Sequence, residues 1–315
     1  MGSASVHRPV LVDEVVRLLV TDRGGLYADL TVGGGGHAEA ILEALAPAGT
    51  LIGLDRDPAA VARAAPRLAR FGRRVELVVG RAGDLTSILA VRGIGQVDGV
   101  LLDLGLSSDQ LAANRGFSFE GDAPLDLRFN PAEDREPAHA LLARIDEPAL
   151  TGLLGRHGEF SPAEARRLAR RLLAVRARLP LDHVAAVRDA LLPLIAPPRR
   201  ARTLARVFQV LRIQVNDELG ELDRALEAAA TSLRPGGVLA VLAYHTLEDA
   251  RVKAFLRPPA PPRRDLPPPP GWPAGRFVPL TRGALRPSAS EIQDNSRARS
   301  ARLRAGVRRQ ADEPV

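Results

Sequence analysis

The chain has 315 residues, 44 basic against 37 acidic side chains, and no cysteine. That length holds one large domain with an insertion or two domains, and the missing thiols exclude disulfides and thiolate metal sites. A formal charge of +7 favours a polyanionic partner such as nucleic acid, while the lack of a membrane-length apolar run or a signal-peptide core points to a cytoplasmic protein without a membrane span.

Residues 9–19 carry a helical stripe of Val10, Leu11, Val15, Leu18 and Leu19, with Pro9 suited to a first turn. Strands are predicted at 26–30, 50–54, 75–79 and 97–102, and helices at 37–45, 58–70 and 84–91. This alternation predicts an α/β fold with a parallel sheet covered on both faces.

The turn after the first strand reads Gly33-Gly34-Gly35-Gly36-His37. Glycines at a strand-to-helix turn let backbone approach a ligand where a Cβ would clash. The second strand ends in Asp55, at the spacing of a carboxylate that holds a ribose hydroxyl pair. An adenosine-bearing cofactor is therefore expected. Gly33, Gly35 and Ala38 also satisfy a dinucleotide fingerprint, so a nicotinamide cofactor and S-adenosylmethionine both stay open at this point. The fourth strand runs into Asp103-Leu104-Gly105, at the sheet edge where ligands collect.

Residues 132–200 show helical stripes and no strand-like run, which predicts an all-helical insertion over 114–204 between two parts of a sheet domain, 1–113 and 205–294. A single long helix is expected from about Thr203 to Leu233, with Gln209, Arg212 and Asn216 on a polar face. Residues 238–243 return as a strand, followed by Tyr244-His245-Thr246-Leu247-Glu248-Asp249. The proline-rich stretch 257–270 reads as a loop. Residues 295–315 form a basic C-terminal tail; six arginines and no acid between 295 and 309 fit a solvated tail or an RNA-contacting arm equally well. Arginine is inflated throughout, Lys253 being the single lysine, so charge by itself is a modest argument.

The motifs in order resemble one family. They are His7-Arg8-Pro9-Val10-Leu11; Asp29-Leu30-Thr31 with Gly33, Gly35, Gly36 and His37; Asp55-Arg56-Asp57-Pro58; and Asp103-Leu104-Gly105-Leu106-Ser107-Ser108 with Gln110-Leu111. Then follow Arg115-Gly116-Phe117-Ser118-Phe119, Pro124-Leu125-Asp126-Leu127-Arg128, Phe208-Gln209, Val215-Asn216, His245-Thr246-Leu247-Glu248-Asp249 and Asn295-Ser296-Arg297-Ala298-Arg299-Ser300. Together they resemble the bacterial small-subunit ribosomal RNA cytosine-N4 methyltransferases, the MraW type.

The resemblance implies a class I S-adenosylmethionine-dependent methyltransferase, with a Rossmann-like sheet and an inserted helical substrate domain. It implies a cytosine of the decoding centre of 16S ribosomal RNA as target, and the small ribosomal subunit as partner. Cofactor contacts carry over to Gly35, Gly36, His37, Asp55, Asp103 and Gln110. A further contact, aromatic in the family, falls on Ala82, and an arginine after Asp249 is replaced by Ala250.

Methyl transfer to an exocyclic amine needs a nitrogen held in line and acceptors for its protons. Asp103, the Leu104 carbonyl, Ser107, Ser108 and His245 stand in sequence order for that, and Tyr244 for stacking on the exposed base. Each has a structural alternative. Asp103 serves the cofactor alone, His245 caps the next helix or holds Glu248, and Ser107 and Ser108 cap the helix that begins at Gln110. Arg115–Phe119 reads as a hinge packed by its phenylalanines or as a base-stacking platform, the hinge being favoured because phenylalanine pairs more often belong to a core. The competing functions are a nicotinamide-dependent oxidoreductase and a catalytically silent RNA-binding assembly factor. No metal is expected, since the six histidines are scattered without paired spacing.

Overall fold

The computed structural model describes residues 9–107, 110, 111, 113–258 and 275–310. They form two compact units, one from 1–105 with 220–315 and one from Leu106–Leu219.

The first unit is built on a seven-stranded sheet of order β3-β2-β1-β4-β5-β7-β6. Its strands are β1 (Leu26–Asp29), β2 (Thr50–Asp55), β3 (Val75–Val79), β4 (Val97–Asp103), β5 (Leu233–Ala243), β6 (Phe277–Pro279) and β7 (Arg302–Arg308). The first five pair in parallel, whereas β7 runs antiparallel to both β5 and β6. One face packs on α1 (Val12–Leu19), α2 (Gly36–Ala44) and α3 (Pro58–Leu68), through Val15, Leu19, Ile41, Leu42 and Leu68. The other packs on α4 (Leu85–Val91), on the helix Glu218–Ser232 and on Thr246–Leu256, through Leu85, Leu226 and Val252. This is the doubly covered parallel sheet that the strand–helix rhythm anticipates, extended by an antiparallel strand, and the class I Rossmann-like fold that the family resemblance implies. The strands buried on both faces are near-continuous apolar runs, as parallel sheets require.

Several expectations need correction. The first helix begins at Val12, and Leu11 before it is left-handed, with φ 54°. Pro9 instead packs against Gly36, where a Cβ would lie 2.9 Å from its Cγ. The long helix is two, Arg200–Asn216 and Glu218–Ser232, broken at Asp217 with φ 51°. Short polar residues tolerate that conformation. The basic tail is not a tail over 302–308, where it is an interior strand. Leu303 and Ala305 are fully buried, while Arg302 and Arg304 pair with Asp249. Most of the proline-rich stretch, 259–270, lies outside the described residues, as do Ser108 and His7.

The second unit holds α5 (Ala138–Arg144), α6 (Glu147–Gly158), α7 (Pro162–Arg176), α8 (Val184–Leu191) and α9 (Arg200–Asn216). The helices Glu218–Ser232, Thr246–Leu256 and Ala289–Asp294 then follow as α10, α11 and α12. The second unit has its own core, including Leu141, Leu154, Leu172, Val187 and Leu211. Residues 106–113 and 205–219, assigned from sequence to the sheet domain, belong here because Leu106, Leu111, Val207, Phe208 and Val215 pack on that core. The Arg115–Phe129 segment is pinned rather than helical. Phe117 stacks on Phe129 with ring centroids 5.4 Å apart, and Asn216 holds Leu127 and Phe129 by hydrogen bonds.

Candidate active site

Strands β1, β2 and β4 end side by side, which sets Asp29, Asp55 and Asp103 along one edge of the sheet. The turn from β1 into α2 lies over that edge. Its residues Leu30 and Val32 donate to the carbonyls of Leu101 and Leu54, and the Thr31 hydroxyl accepts from Asp103 N at 2.6 Å. The turn thus ties three strand ends together. Gly33 and Gly35 have φ of 51° and 81°, which side chains rarely adopt. A Cβ on Gly34 would meet no protein atom within 4 Å, so the outer side of the turn is open to close approach.

Asp55 is held by the turn and by the helix that follows it. Oδ2 accepts from Gly33 N and Oδ1 from Asp57 N, both at 2.9 Å. Each oxygen keeps a lone pair for another donor. Burial pushes the carboxyl up to about 6, against the pull of the two amides. Asp57 caps α3 through Ala59 N at 3.0 Å, with Pro58 in the first turn.

His37, in the first turn of α2, is buried with Nε2 3.3 Å from Oδ2 of Asp103. Burial alone would raise the Asp103 carboxyl. The adjacent His37 imidazole, the Tyr244 hydroxyl and the Gly105 amide outweigh it and hold the group below the ordinary carboxylate range. The Tyr244 phenol is pushed well above its usual range, by burial first and by the Asp103 charge next. Gly105 makes room for its ring, since a Cβ there would lie 2.8 Å from two ring carbons. Asp29 completes the group and was not singled out from sequence. It is 1% exposed, its Oδ1 accepts from Thr31 N, and its Oδ2 has no hydrogen-bond partner among the described residues. Burial pushes it up to about 7 despite the opposing influence of His37. A carboxylate ending an apolar strand is the signal that marked Asp55 and Asp103, and it applies equally to Asp29.

The other sequence candidates fall into local roles. Ala82 lies in a single 3-10 turn, Ala82–Asp84, with its methyl against the apolar cluster of the α4 face. No ring is offered there. Ser107 and Gln110 cap each other: Ser107 Oγ accepts from Gln110 N at 3.1 Å and Gln110 Oε1 from Ser107 N at 3.0 Å. His245 is the N-cap of α11, accepting from Glu248 N, while Glu248 accepts from the amides of Tyr244 and His245. Its Nε2 lies 2.9 Å from Glu248 Oε1. Asp103 and Tyr244 thus meet in one cluster, whereas Ser107 and His245 both have structural duties.

Comparison with known proteins matches this picture. The profile described as the MraW methylase family matches residues 4–309. A protein of Thermomicrobium roseum named ribosomal RNA small subunit methyltransferase H is 44% identical over 97% of this chain and 94% of its own length. Proteins of the same name from Syntrophotalea carbinolica and Heliobacterium modesticaldum are 46% and 42% identical, each over 95% of this chain. They cover 96% and 97% of those proteins respectively. The chain belongs to the MraW methylase family and is an S-adenosylmethionine-dependent methyltransferase.

Proposed function

We propose that the protein transfers a methyl group from S-adenosylmethionine to N4 of a cytosine in the decoding centre of 16S ribosomal RNA. The observation that carries the reading is the row of Asp29, Asp55 and Asp103 under an open glycine turn, inside a chain 40–46% identical to proteins named for small-subunit ribosomal RNA methylation.

The residues fit the cofactor. Gly34 leaves space for it, Asp55 has lone pairs left for two ribose hydroxyls, and the unpartnered Oδ2 of Asp29 complements positive charge. When bound, the cofactor supplies an electrophilic methyl group on a sulfonium. Everything else falls to the chain. The cytosine amine is a poor nucleophile because its lone pair is delocalised, so orientation is the main task. Asp103 is kept ionised and so accepts a hydrogen bond from an N4 proton. Tyr244, braced on Gly105, presents a planar flank for a base taken out of its stack. His37 fixes Asp103 from the buried side. His245 sets the path of the chain next to Tyr244 by capping α11. Covalent attack on a ring carbon would need a cysteine, and the chain has none.

The test is nucleoside mass spectrometry of 16S ribosomal RNA from a strain lacking the gene, with and without its restoration. N4-methylcytidine should vanish and return. If 5-methylcytidine or a 2′-O-methyl nucleoside is the sole product restored, the assignment is wrong.

A further inference from the structure

The net positive charge of the chain is concentrated in one part of the helical unit. Between Arg156 and Arg206 stand twelve arginines against four carboxylates, Glu159, Glu164, Asp182 and Asp189, an excess of +8 within a chain whose total is +7. The remaining charges balance almost evenly. A general inflation of arginine does not produce such a distribution.

Part of this set has a structural occupation. Arg171, Arg176 and Arg206 donate to main-chain carbonyls of Ala190, Leu142 and Gly158, and Arg170 pairs with Glu147. Arg166, Arg167, Arg199 and Arg202 differ. They are exposed, and their guanidinium groups make no hydrogen bond or contact ion pair among the described residues. Holding unpaired like charges together costs energy, most at low salt, and a polyanion removes that cost.

Arg167 and Arg199 also line a hollow of about 230 Å³. Its apolar lining includes Phe160, Leu168 and Ile195, and Thr203 and Glu164 bring a hydroxyl and a carboxylate to it. The walls are fixed. Ser161 and Glu164 form a capping box at the start of α7, which carries Arg167. Pro197 and Pro198 stiffen the turn that carries Arg199. The Arg206 guanidinium lies 3.9 Å from the centre of the Phe160 ring and is anchored on the Gly158 carbonyl.

We propose that this hollow is a second RNA-binding site, which takes one unpaired nucleotide of the ribosomal RNA. Its base enters the apolar hollow, and its flanking phosphates lie on Arg167 and Arg199, with Arg166 and Arg202 extending the track. Glu164 and Thr203 face the base or ribose as acceptor and hydroxyl partner. Planar guanidinium forks suit phosphate oxygens, and base burial against apolar walls adds affinity without sequence readout. The site rests on the ribosomal RNA reading above and extends it to a position outside the methyl-transfer cluster.

The test uses the full chain carrying Arg167→Ala and Arg199→Ala together, with Arg178→Ala as an exposed arginine outside the hollow. Binding to naked 16S ribosomal RNA and to isolated small subunits is measured against salt, with cofactor affinity and thermal melting as controls for the fold. The double variant should bind both about tenfold or more weakly at 100 mM salt, and its plot of log affinity against log salt should be shallower by about 1–2. Arg178→Ala should behave as wild type, and the double Lys variant should recover much of the loss. KM for the subunit should rise with kcat little changed. A folded double variant with wild-type affinity and slope overturns the proposal. So does loss of subunit binding with naked RNA binding intact, which would make the partner a ribosomal protein. Failure of the wild type itself to bind or methylate this RNA would instead overturn the parent reading.

Discussion

The imidazole of His37 meets the carboxylate of Asp103 at 3.3 Å, although the two come from different strand–helix connections. One lies in the first turn of α2 and the other ends β4, so the contact joins the glycine turn, where we propose the cofactor binds, to the edge where we propose the acceptor base sits. Asp103→Asn keeps the shape and removes the charge. We expect turnover on small subunits to fall by about 100-fold or more, in the range seen when a preorganised polar group is lost. Methyl incorporation at saturating cofactor reads it. Turnover within a few-fold of wild type would remove Asp103 from the reacting centre.

Asp55, the proposed ribose-binding carboxylate, should couple cofactor binding to pH. Its carboxyl titrates near 6 in the free protein, so below that pH it is protonated and accepts fewer hydrogen bonds. Affinity for S-adenosylmethionine should therefore rise as pH goes from 5 to 7.5, with proton release near pH 6. Asp55→Ala should weaken binding by about 1.5–3 kcal/mol and flatten that profile. Calorimetry in buffers of different ionisation enthalpy checks both. An equally steep profile in the variant would place the titrating group elsewhere.

Asp29 works against stability at neutral pH. Its folded-state value, about 7, lies above the ordinary 3.8, so between those values the folded protein holds a proton that the unfolded chain has released. Its contribution to stability thus falls as pH rises from about 4 to 7 and stays low above that. Asp29→Asn should stabilise the cofactor-free protein at pH 8 by an amount on the order of 2 kcal/mol, and far less at pH 4.5. Melting temperatures at the two pH values decide it, and a variant no more stable at pH 8 contradicts the account.

Asn216 braces the helical unit from the last turn of α9. Oδ1 accepts from Phe129 N at 2.9 Å, and Nδ2 donates to the Leu127 carbonyl at 2.7 Å, all within a buried environment. Leu127 has φ 61°, which needs such support. Asn216→Leu leaves both backbone groups unsatisfied and should cost about 2–4 kcal/mol. Chemical denaturation measures it; a loss under 1 kcal/mol would show that the segment is held by its phenylalanines instead.

The legible parts of this protein are those where one pattern acts alone. Asp55 and Asp103 stand out because an apolar run stops at them, and the four glycines because a turn with two positive φ angles demands them. The break at Asp217 is hidden, since the apolar stripe of Val207, Leu211, Val215, Leu219 and Leu222 continues across it. The strand β7 is hidden by its own composition. The alternation of Arg302, Leu303, Arg304 and Ala305 is a half-buried strand, but six nearby arginines draw attention to charge first. His245 is an unusual helix cap, so its motif suggests substrate chemistry where the structure displays a capping box. Asn216 reads as a polar face because its partner loop is 87 residues away.

The strand order places the last strand, β7, between β5 and β6. Until residues 302–308 have been synthesised, β5 is therefore the boundary of the sheet, and Val238–Ala243 presents six buried-type apolar residues with a bare row of amides and carbonyls. Such an edge is a template for pairing with other chains. Strand β7, rich in arginine, covers that edge by pairing with β5. Prematurely terminated products, even those that contain Asp29, Asp55, Asp103 and Tyr244, should collect as insoluble material, whereas chains that include β7 should not.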